Sequence, residues 1–343
     1  METVIKTFVS ELEKKGINVQ MVFLGKYKKK KHDLTWLNGL NYKILLPNFP
    51  LKGFIRDFVE VKKLSELVIK EKPDIFIGLN NAAILHLWKV RNKTYPFKIF
   101  SWVHFALKIL HNTNVLKMAD YHLSISSGIS QDLEKKLSID KNKIFTIYNP
   151  VNIERQQSII DRPLDSVASF LFVGRLTEQK DPMLLIKAVT NLTGDWKLHI
   201  VGEGHLRANM EAYAREKGVE KNIFFHGWQS NPWDYIRAKT NVSALILCSK
   251  NEGFPMVLLE GMSRGIFCIA SDCETGPADI INEKNGLLFP VGDAQELQRK
   301  LQELIDSRGL HLPSQSMILK SIDKFSTSNY CERVLEALEK GIN

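Results

Sequence analysis

The fold this sequence predicts is α/β, built as two doubly wound domains, and three observations carry that reading. Residues 242–271 run strand, glycine-containing loop, helix, strand, which is a βαβ unit. The chain has 343 residues with 44% hydrophobic and 25% charged content, enough for two cores and typical of a globular protein. A polar, proline-containing segment over 152–166 divides two stretches of alternating strands and helices, as a domain boundary does.

Within the βαβ unit, Val242 to Leu247 is apolar, rich in strand formers and too short for an ordinary helix. Pro255 suits the first turn of the next helix, where its missing N–H costs nothing. That helix carries Val257, Leu258, Leu259 and Met262 and ends near Gly265, and Ile266 to Ala270 forms the second strand.

In chain order, residues 2–15 place Val4, Ile5, Phe8, Val9 and Leu12 on one helical face, and Gly16 ends the helix. Ile17 to Leu24 alternates as a strand, and the lysine-rich run Lys26–Lys31 reads as a solvated loop. Phe54, Ile55, Phe58, Val61, Leu64 and Val68 make the apolar stripe of a second amphipathic helix, ringed by Lys52, Arg56, Lys62 and Lys63. Strands are predicted at 74–79, 97–103 and 121–126, with a helix over 82–93. Ser127 is the expected cap of a helix through Leu137, and Lys143 to Tyr148 closes this half. The predicted division is 1–152, a linker over 153–166, a second domain over 167–315 and a helical segment over 316–343.

The second domain opens with the strand Phe170 to Val173, running into Gly174 and Arg175, with Lys180 and Pro182 before a helix. Arg175 offers a planar fork to phosphate oxygens and Lys180 a point charge, a pair suited to a diphosphate. Trp196 to Val201 is a strand; Gly202 and Gly204 after it read as a tight strand-to-helix turn. A short strand at 223–226 leads to Gly227, Trp228 and Gln229, where the tryptophan alone would more often be core. Asp293 is the expected cap of a helix to Ser307.

Composition bounds function. No run reaches the roughly 18 apolar residues of a membrane span, and the amphipathic, charged start is not expected to be a secretory signal. The four cysteines lack metal-ligand spacing and read as buried thiols. Residues 1–150 hold 25 Lys+Arg against 13 Asp+Glu, whereas 151–343 hold 22 against 25. An anionic partner is therefore expected for the first domain only, either a membrane surface or nucleic acid. No zinc, RNA-recognition or helix-turn-helix pattern supports nucleic acid, so it is not expected as a partner.

Glu252 lies in the loop before the helix of the βαβ unit, and Glu260 lies within that helix. Their carboxylates can accept hydrogen bonds from paired hydroxyls of a ribose or hexose, while N–H groups around Gly253 and Phe254 suit phosphate oxygens. The alternative is a loop glutamate and a helix-face glutamate without a ligand. The stretch NEGFPMVLLEGMSRGIFCIASDCETGPADII decides between them. It resembles the E-x₇-E signature of the retaining GT-B glycosyltransferases of the family 4 group. Within that group it resembles the bacterial lipopolysaccharide-core α-1,6-galactosyltransferases, which use UDP-galactose.

The resemblance covers nearly the whole chain and implies two Rossmann-like domains facing a cleft, with the donor in the second and the acceptor in the first. It implies that Gly174, Arg175 and Lys180 bind the donor diphosphate, with Gly253, Phe254 and Pro255 beside it. Glu252 would orient the hexose, Glu260 the ribose, and Trp228 and Gln229 would lie near the uracil. His104, at the end of a strand, would line the active site beside the transferred sugar. No cofactor and no metal are expected, and Asp272 and Glu274 are not read as metal ligands. The expected product is a retained galactoside on a lipopolysaccharide-core or other cell-surface glycan, made at the inner face of the cytoplasmic membrane. The alternatives are a GT-B transferase using another UDP-sugar, a GT-B sugar phosphorylase, or an inactive form that only binds anionic surfaces. Relatives also begin with an apolar strand and a glycine-rich loop before a helix resembling Met1–Ile5. An N-terminally shortened chain, with a gap at the centre of the first sheet, is the corresponding expectation.

Overall fold

A computed structural model describes residues 2–25, 35–46, 53–91, 95–153, 159–163 and 167–342. The Lys26–Lys31 run, Lys52 and part of the 152–166 segment lie outside the described residues. The chain divides into two compact units, one of residues 1–150 with 327–343, the other of 151–326.

The first unit contains α1 (Glu2–Lys14), β1 (Met21–Gly25), β2 (Tyr42–Leu46), α2 (Phe54–Glu71), β3 (Ile75–Gly78), α3 (Asn81–Arg91), β4 (Lys98–Val103), β5 (Tyr121–Ser124), α4 (Ser127–Leu137) and β6 (Ile144–Thr146). All of its described strand pairs are parallel, but they form two sheets, β1-β2 and β3-β4-β5-β6, rather than one continuous sheet. The predicted face of α1 is buried, and Phe8 packs on Trp102 with ring centroids 4.7 Å apart.

Two local expectations are corrected here. The cap of α4 is Ser126, whose Oγ accepts a hydrogen bond from the Ile129 N–H at 3.3 Å. Ser126 holds the extended backbone a cap needs, and Ser127 is already helical. On α2 the buried face carries Glu60, Leu64, Leu67 and Val68, while Phe54, Ile55 and Phe58 are 83%, 57% and 64% exposed. Glu60 precedes Leu64 and Leu67 by four and seven positions and so shares their face. There it meets Arg56 and His86, and the apolar side of the first turns points away from that polar contact.

The second unit contains β7 (Ala168–Val173), α5 (Pro182–Val189), β8 (Trp196–Val201), α6 (Arg207–Glu216), β9 (Ile223–Phe225), α7 (Pro232–Arg237), β10 (Ala244–Leu247), α8 (Met256–Met262), β11 (Phe267–Ser271), α9 (Pro277–Ile280), β12 (Gly286–Phe289), α10 (Ala294–Asp306) and α11 (Gln315–Ser321). Its strands form one parallel sheet in the order β12-β11-β10-β7-β8-β9. The core strands are almost continuously apolar, as strands covered by helices on both faces must be. Asp293 caps α10 as expected, accepting from the Glu296 N–H at 2.9 Å. The four cysteines are buried free thiols.

The last helix, α12 (Thr327–Ile342), belongs with the first unit, and its Tyr330, Val334 and Ala337 are buried. The chain thus changes unit at 326/327; α11, predicted to leave the second domain, stays in it.

Three histidines are held neutral. Burial pushes His104, His122 and His199 down to about 4, with Lys143 assisting at His122 and His226 at His199. Because these folded values lie below the ordinary imidazole range near 6.5, the unfolded chain binds more protons between the two. The three histidines therefore contribute stability that is complete above about pH 6.5 and lost as pH falls towards 4. Urea unfolding between pH 7 and pH 4 should show this loss, and His104→Asn or His199→Gln should each flatten it by about 1.4 kcal/mol per pH unit.

Candidate active site

The order of the second sheet reverses between β7 and β10: β8 and β9 lie on one side of β7, while β11 and β12 lie beyond β10. Loops leaving the C-terminal ends of two such strands diverge and leave a crevice, where ligands of open parallel sheets bind. Gly174, Arg175 and Lys180 follow β7, and Ser249 to Pro255 follow β10.

The loop after β7 is held from both sides. Towards β8, the Gly174 N–H donates to the Val201 carbonyl at 3.0 Å and the Leu176 N–H to Glu203 at 2.9 Å. This close approach requires glycine: a Cβ on Gly202, which has φ +144°, would sit 1.9 Å from the Gly174 carbonyl oxygen, and one on Gly204 would sit 2.2 Å from that of Leu176. Towards β10, the Lys250 N–H donates to the Gln179 carbonyl at 2.9 Å, and Gln179 Nε2 donates to the Asn251 carbonyl at 3.0 Å.

Across that seam Lys180 Nζ donates to Glu252 Oε1 at 2.5 Å. The same oxygen accepts from Ser249 Oγ at 2.6 Å, and Ser249 is held in turn by Ser271 Oγ on its carbonyl at 2.6 Å. Thr275 Oγ1 donates to the Glu252 carbonyl. Glu252 is 9% exposed, so its charge is matched almost entirely by these neighbours. Lys180 retains further N–H donors, since an ammonium has three. Arg175 is exposed, with Nη2 3.4 Å from Gln179 Oε1.

Pro255 sits immediately before α8 rather than in its first turn. Glu260, half-buried within α8, accepts from Trp233 Nε1 at 3.1 Å through Oε2, and the Arg264 guanidinium lies 4.8 Å from the Trp233 ring centre. At the end of β9, Gln229 Nε2 donates to the His226 carbonyl at 2.9 Å, while Trp228 is 70% exposed and is not core.

The structure therefore gathers Lys180 and Glu252 into one ion pair, with Arg175 nearby on Gln179, which itself bonds the Asn251 carbonyl next to Glu252. It adds Ser249, Thr275, Gln179 and Trp233, which the sequence reading passed over. A serine three residues before Glu252 and a tryptophan behind Pro232 were the available signals. His104 belongs to the first unit, buried against Trp102 with ring centroids 4.7 Å apart, and its Nε2 has no hydrogen-bond partner among the described residues. Asp272 and Glu274 are exposed and form no metal-binding group among the described residues.

Comparison with known proteins adds the decisive observation. Residues 157–319 match the family described as Glycosyl transferases group 1, and residues 1–155 match Glycosyltransferase Family 4. The chain is 36% identical to the lipopolysaccharide 1,6-galactosyltransferase of Escherichia coli K12, covering 100% of this chain and 95% of the relative. It belongs to the GT-B glycosyltransferases of the family 4/group 1 kind. A second relative, the lipopolysaccharide 1,6-galactosyltransferase of Salmonella typhimurium, is 39% identical over 89% of this chain and 86% of its own length. Among solved structures, the apo form of the lipopolysaccharide outer core galactosyltransferase WaaB superposes with TM-score 0.91 at 36% identity, covering 99% of this chain and 95% of that one.

In this glycosyltransferase the Lys180–Glu252 pair joins two loops 72 residues apart. Removing one partner leaves the other buried without its match, so the losses from the two removals overlap. Lys180→Ala and Glu252→Ala should each destabilise the fold by about 1–3 kcal/mol. In urea unfolding, the double variant should lose clearly less than the sum.

Proposed function

We propose that this chain is a retaining galactosyltransferase that moves galactose from UDP-galactose to a lipopolysaccharide-core acceptor. The observation that carries the reading is similarity over 89–100% of this chain to two lipopolysaccharide 1,6-galactosyltransferases, with Arg175, Lys180 and Glu252 set at a topological switch point.

As the bond between the anomeric carbon and the phosphate oxygen breaks, the sugar gains oxocarbenium character and the diphosphate gains negative charge. We assign stabilisation of that charge to Arg175 and Lys180, with the backbone of Gly253 to Pro255 beside the phosphates, and no catalytic metal is called for. Lys180 can bond a phosphate oxygen without releasing Glu252, because its ammonium has donors to spare. Glu252 Oε2 is left for hexose hydroxyls, since Oε1 accepts from Lys180 and Ser249. Glu260 Oε1 is the acceptor assigned to the ribose, with Oε2 on Trp233, and Trp228 and Gln229 are assigned to the uracil. His104 keeps the role the family resemblance implies. No protein nucleophile is assigned, so the acceptor attacks from the face the diphosphate leaves.

Arg175→Ala, by losing a positioned charge-stabilising group, and Glu252→Gln, by losing the orientation of the hexose, should each lower transfer from UDP-galactose to a galactose-deficient lipopolysaccharide acceptor by roughly 10²–10³-fold. Glu260→Ala should chiefly weaken UDP binding in calorimetric titration. Near-normal transfer by folded Arg175→Ala and Glu252→Gln proteins would overturn the site.

We further propose that the first unit works at an anionic membrane surface. No helix among the described residues is long and apolar enough to cross a membrane. On α2, however, Phe54, Ile55 and Phe58 are exposed together, and Lys62, Lys63 and Lys70 are exposed further along. An apolar patch beside lysines suits an interfacial helix, each basic residue adding about 1 kcal/mol near an anionic surface. Sedimentation with phosphatidylglycerol vesicles should show binding that salt weakens and that Phe54→Ser/Phe58→Ser reduces severalfold. Equal binding to neutral vesicles would count against it.

A further inference from the structure

Asp57, Glu60 and His86 lie outside every residue assigned to transfer, yet each points one donor atom at a common spot between α2 and α3. Those three atoms fall within 4.8 Å of one another. Asp57 and Glu60 are three apart on α2 and so share a face, and His86 reaches them from α3.

The tautomer of His86 is set by its neighbours. Its Nδ1 lies 2.6 Å from the Ala82 carbonyl oxygen, which can only accept, so Nδ1 carries a proton. In the neutral ring Nε2 then presents its lone pair, at 3.4 Å from Glu60 Oε2 and 3.9 Å from Asp57 Oδ1. His86 is 5% exposed, and Nε2 is buried with no hydrogen-bond partner among the described residues. A buried lone pair facing two carboxylate oxygens is repulsive unless a metal cation or a proton lies between them.

We propose that Asp57, Glu60 and His86 bind a divalent transition-metal ion of the zinc type, tying the first turns of α2 to α3. One imidazole nitrogen and two carboxylate oxygens suit that ion, and water would complete the coordination on the side where Asp57 is exposed. Ligands about 2.0–2.1 Å from a tetrahedral ion stand roughly 3.3–3.4 Å apart. The His86–Glu60 separation of 3.4 Å already meets this, and the exposed Asp57 has only to close by a short movement.

The surroundings are those of a metal site. A ligating histidine usually donates its other ring N–H to a backbone carbonyl, as His86 does to Ala82, and ligating carboxylates are themselves hydrogen-bonded. Glu60 Oε1 accepts from Arg56 Nε at 2.7 Å, which fixes the carboxylate and leaves Oε2 turned to His86. Counting Arg56, two carboxylates and a neutral imidazole, the local charge is one negative, so a divalent ion enters with favourable sign. The competing arrangement is a protonated His86 paired with Glu60, with no metal.

The test uses the full chain after chelator treatment and dialysis. Calorimetric titration with Zn²⁺ should show one saturable site, and Co²⁺ should give the visible absorption of a four-coordinate ion that Zn²⁺ displaces. His86→Ala, Glu60→Gln and Asp57→Asn should each weaken Zn²⁺ binding by at least about tenfold. His205→Ala, which alters an exposed His–Glu pair on the second unit, should leave it unchanged. Asp57→Asn changes an exposed side chain and keeps the test valid if either buried variant fails to fold. Absence of saturable binding, or binding indifferent to all three substitutions, would overturn the site and leave the imidazolium–Glu60 pair.

Discussion

The reversal of strand order between β7 and β10 is the constraint on which the site depends. Parallel strands must be joined by crossovers, and a right-handed crossover on each side sends neighbouring loops in opposite directions. Only at the reversal do two consecutive C-terminal loops part and leave backbone and side chains open to a ligand. Lys180 and Glu252, far apart in the chain, become partners because β7 and β10 are neighbours there. The glycines after β8 serve the same end by allowing the loop after β7 to lie against its neighbour's backbone. The loop after β7 is thus braced on both flanks, through Gly174 to β8 and through Gln179 to the β10 loop.

Much of this was legible from the chain because parallel strands buried on both faces are apolar almost throughout. β8 falls where the pattern predicted it, and β7, β10 and β11 differ from expectation by a residue or two. The E-x₇-E spacing was equally legible. What could not be read was partnership: nothing in the spacing of Lys180 and Glu252 says that they share a hydrogen bond, because the sheet creates that contact. The face of α2 was misread for a related reason. An apolar stripe marks the buried side only when the neighbouring element is apolar too, and α3 offers His86 to the first turns of α2. Glu60, phased with Leu64 and Leu67, was the residue in the sequence that marked the true face. At Ser126 and Ser127, two adjacent serines can each cap, and only the backbone angles choose between them.

The Lys180–Glu252 pair also connects the energetics of the fold to the proposed chemistry. A carboxylate as buried as Glu252 is costly without a matched cation, so the pair makes the resting loops tolerable rather than strongly stabilising. On the proposed reading the arriving diphosphate adds negative charge beside an ammonium that Glu252 already neutralises in part. Lys180 alone would then be a weak source of charge stabilisation, and the exposed Arg175, which contacts Gln179 and is paired with no carboxylate among the described residues, would supply the rest. The two cations are therefore not equivalent. On that reading Lys180 would hold Glu252 where it meets the sugar while lending part of its charge to the phosphates, and Arg175 would supply the larger share of positive charge to the leaving group. That division follows from burial: the paired cation is inside, and the cation available to an anionic substrate is the one the fold leaves at the surface.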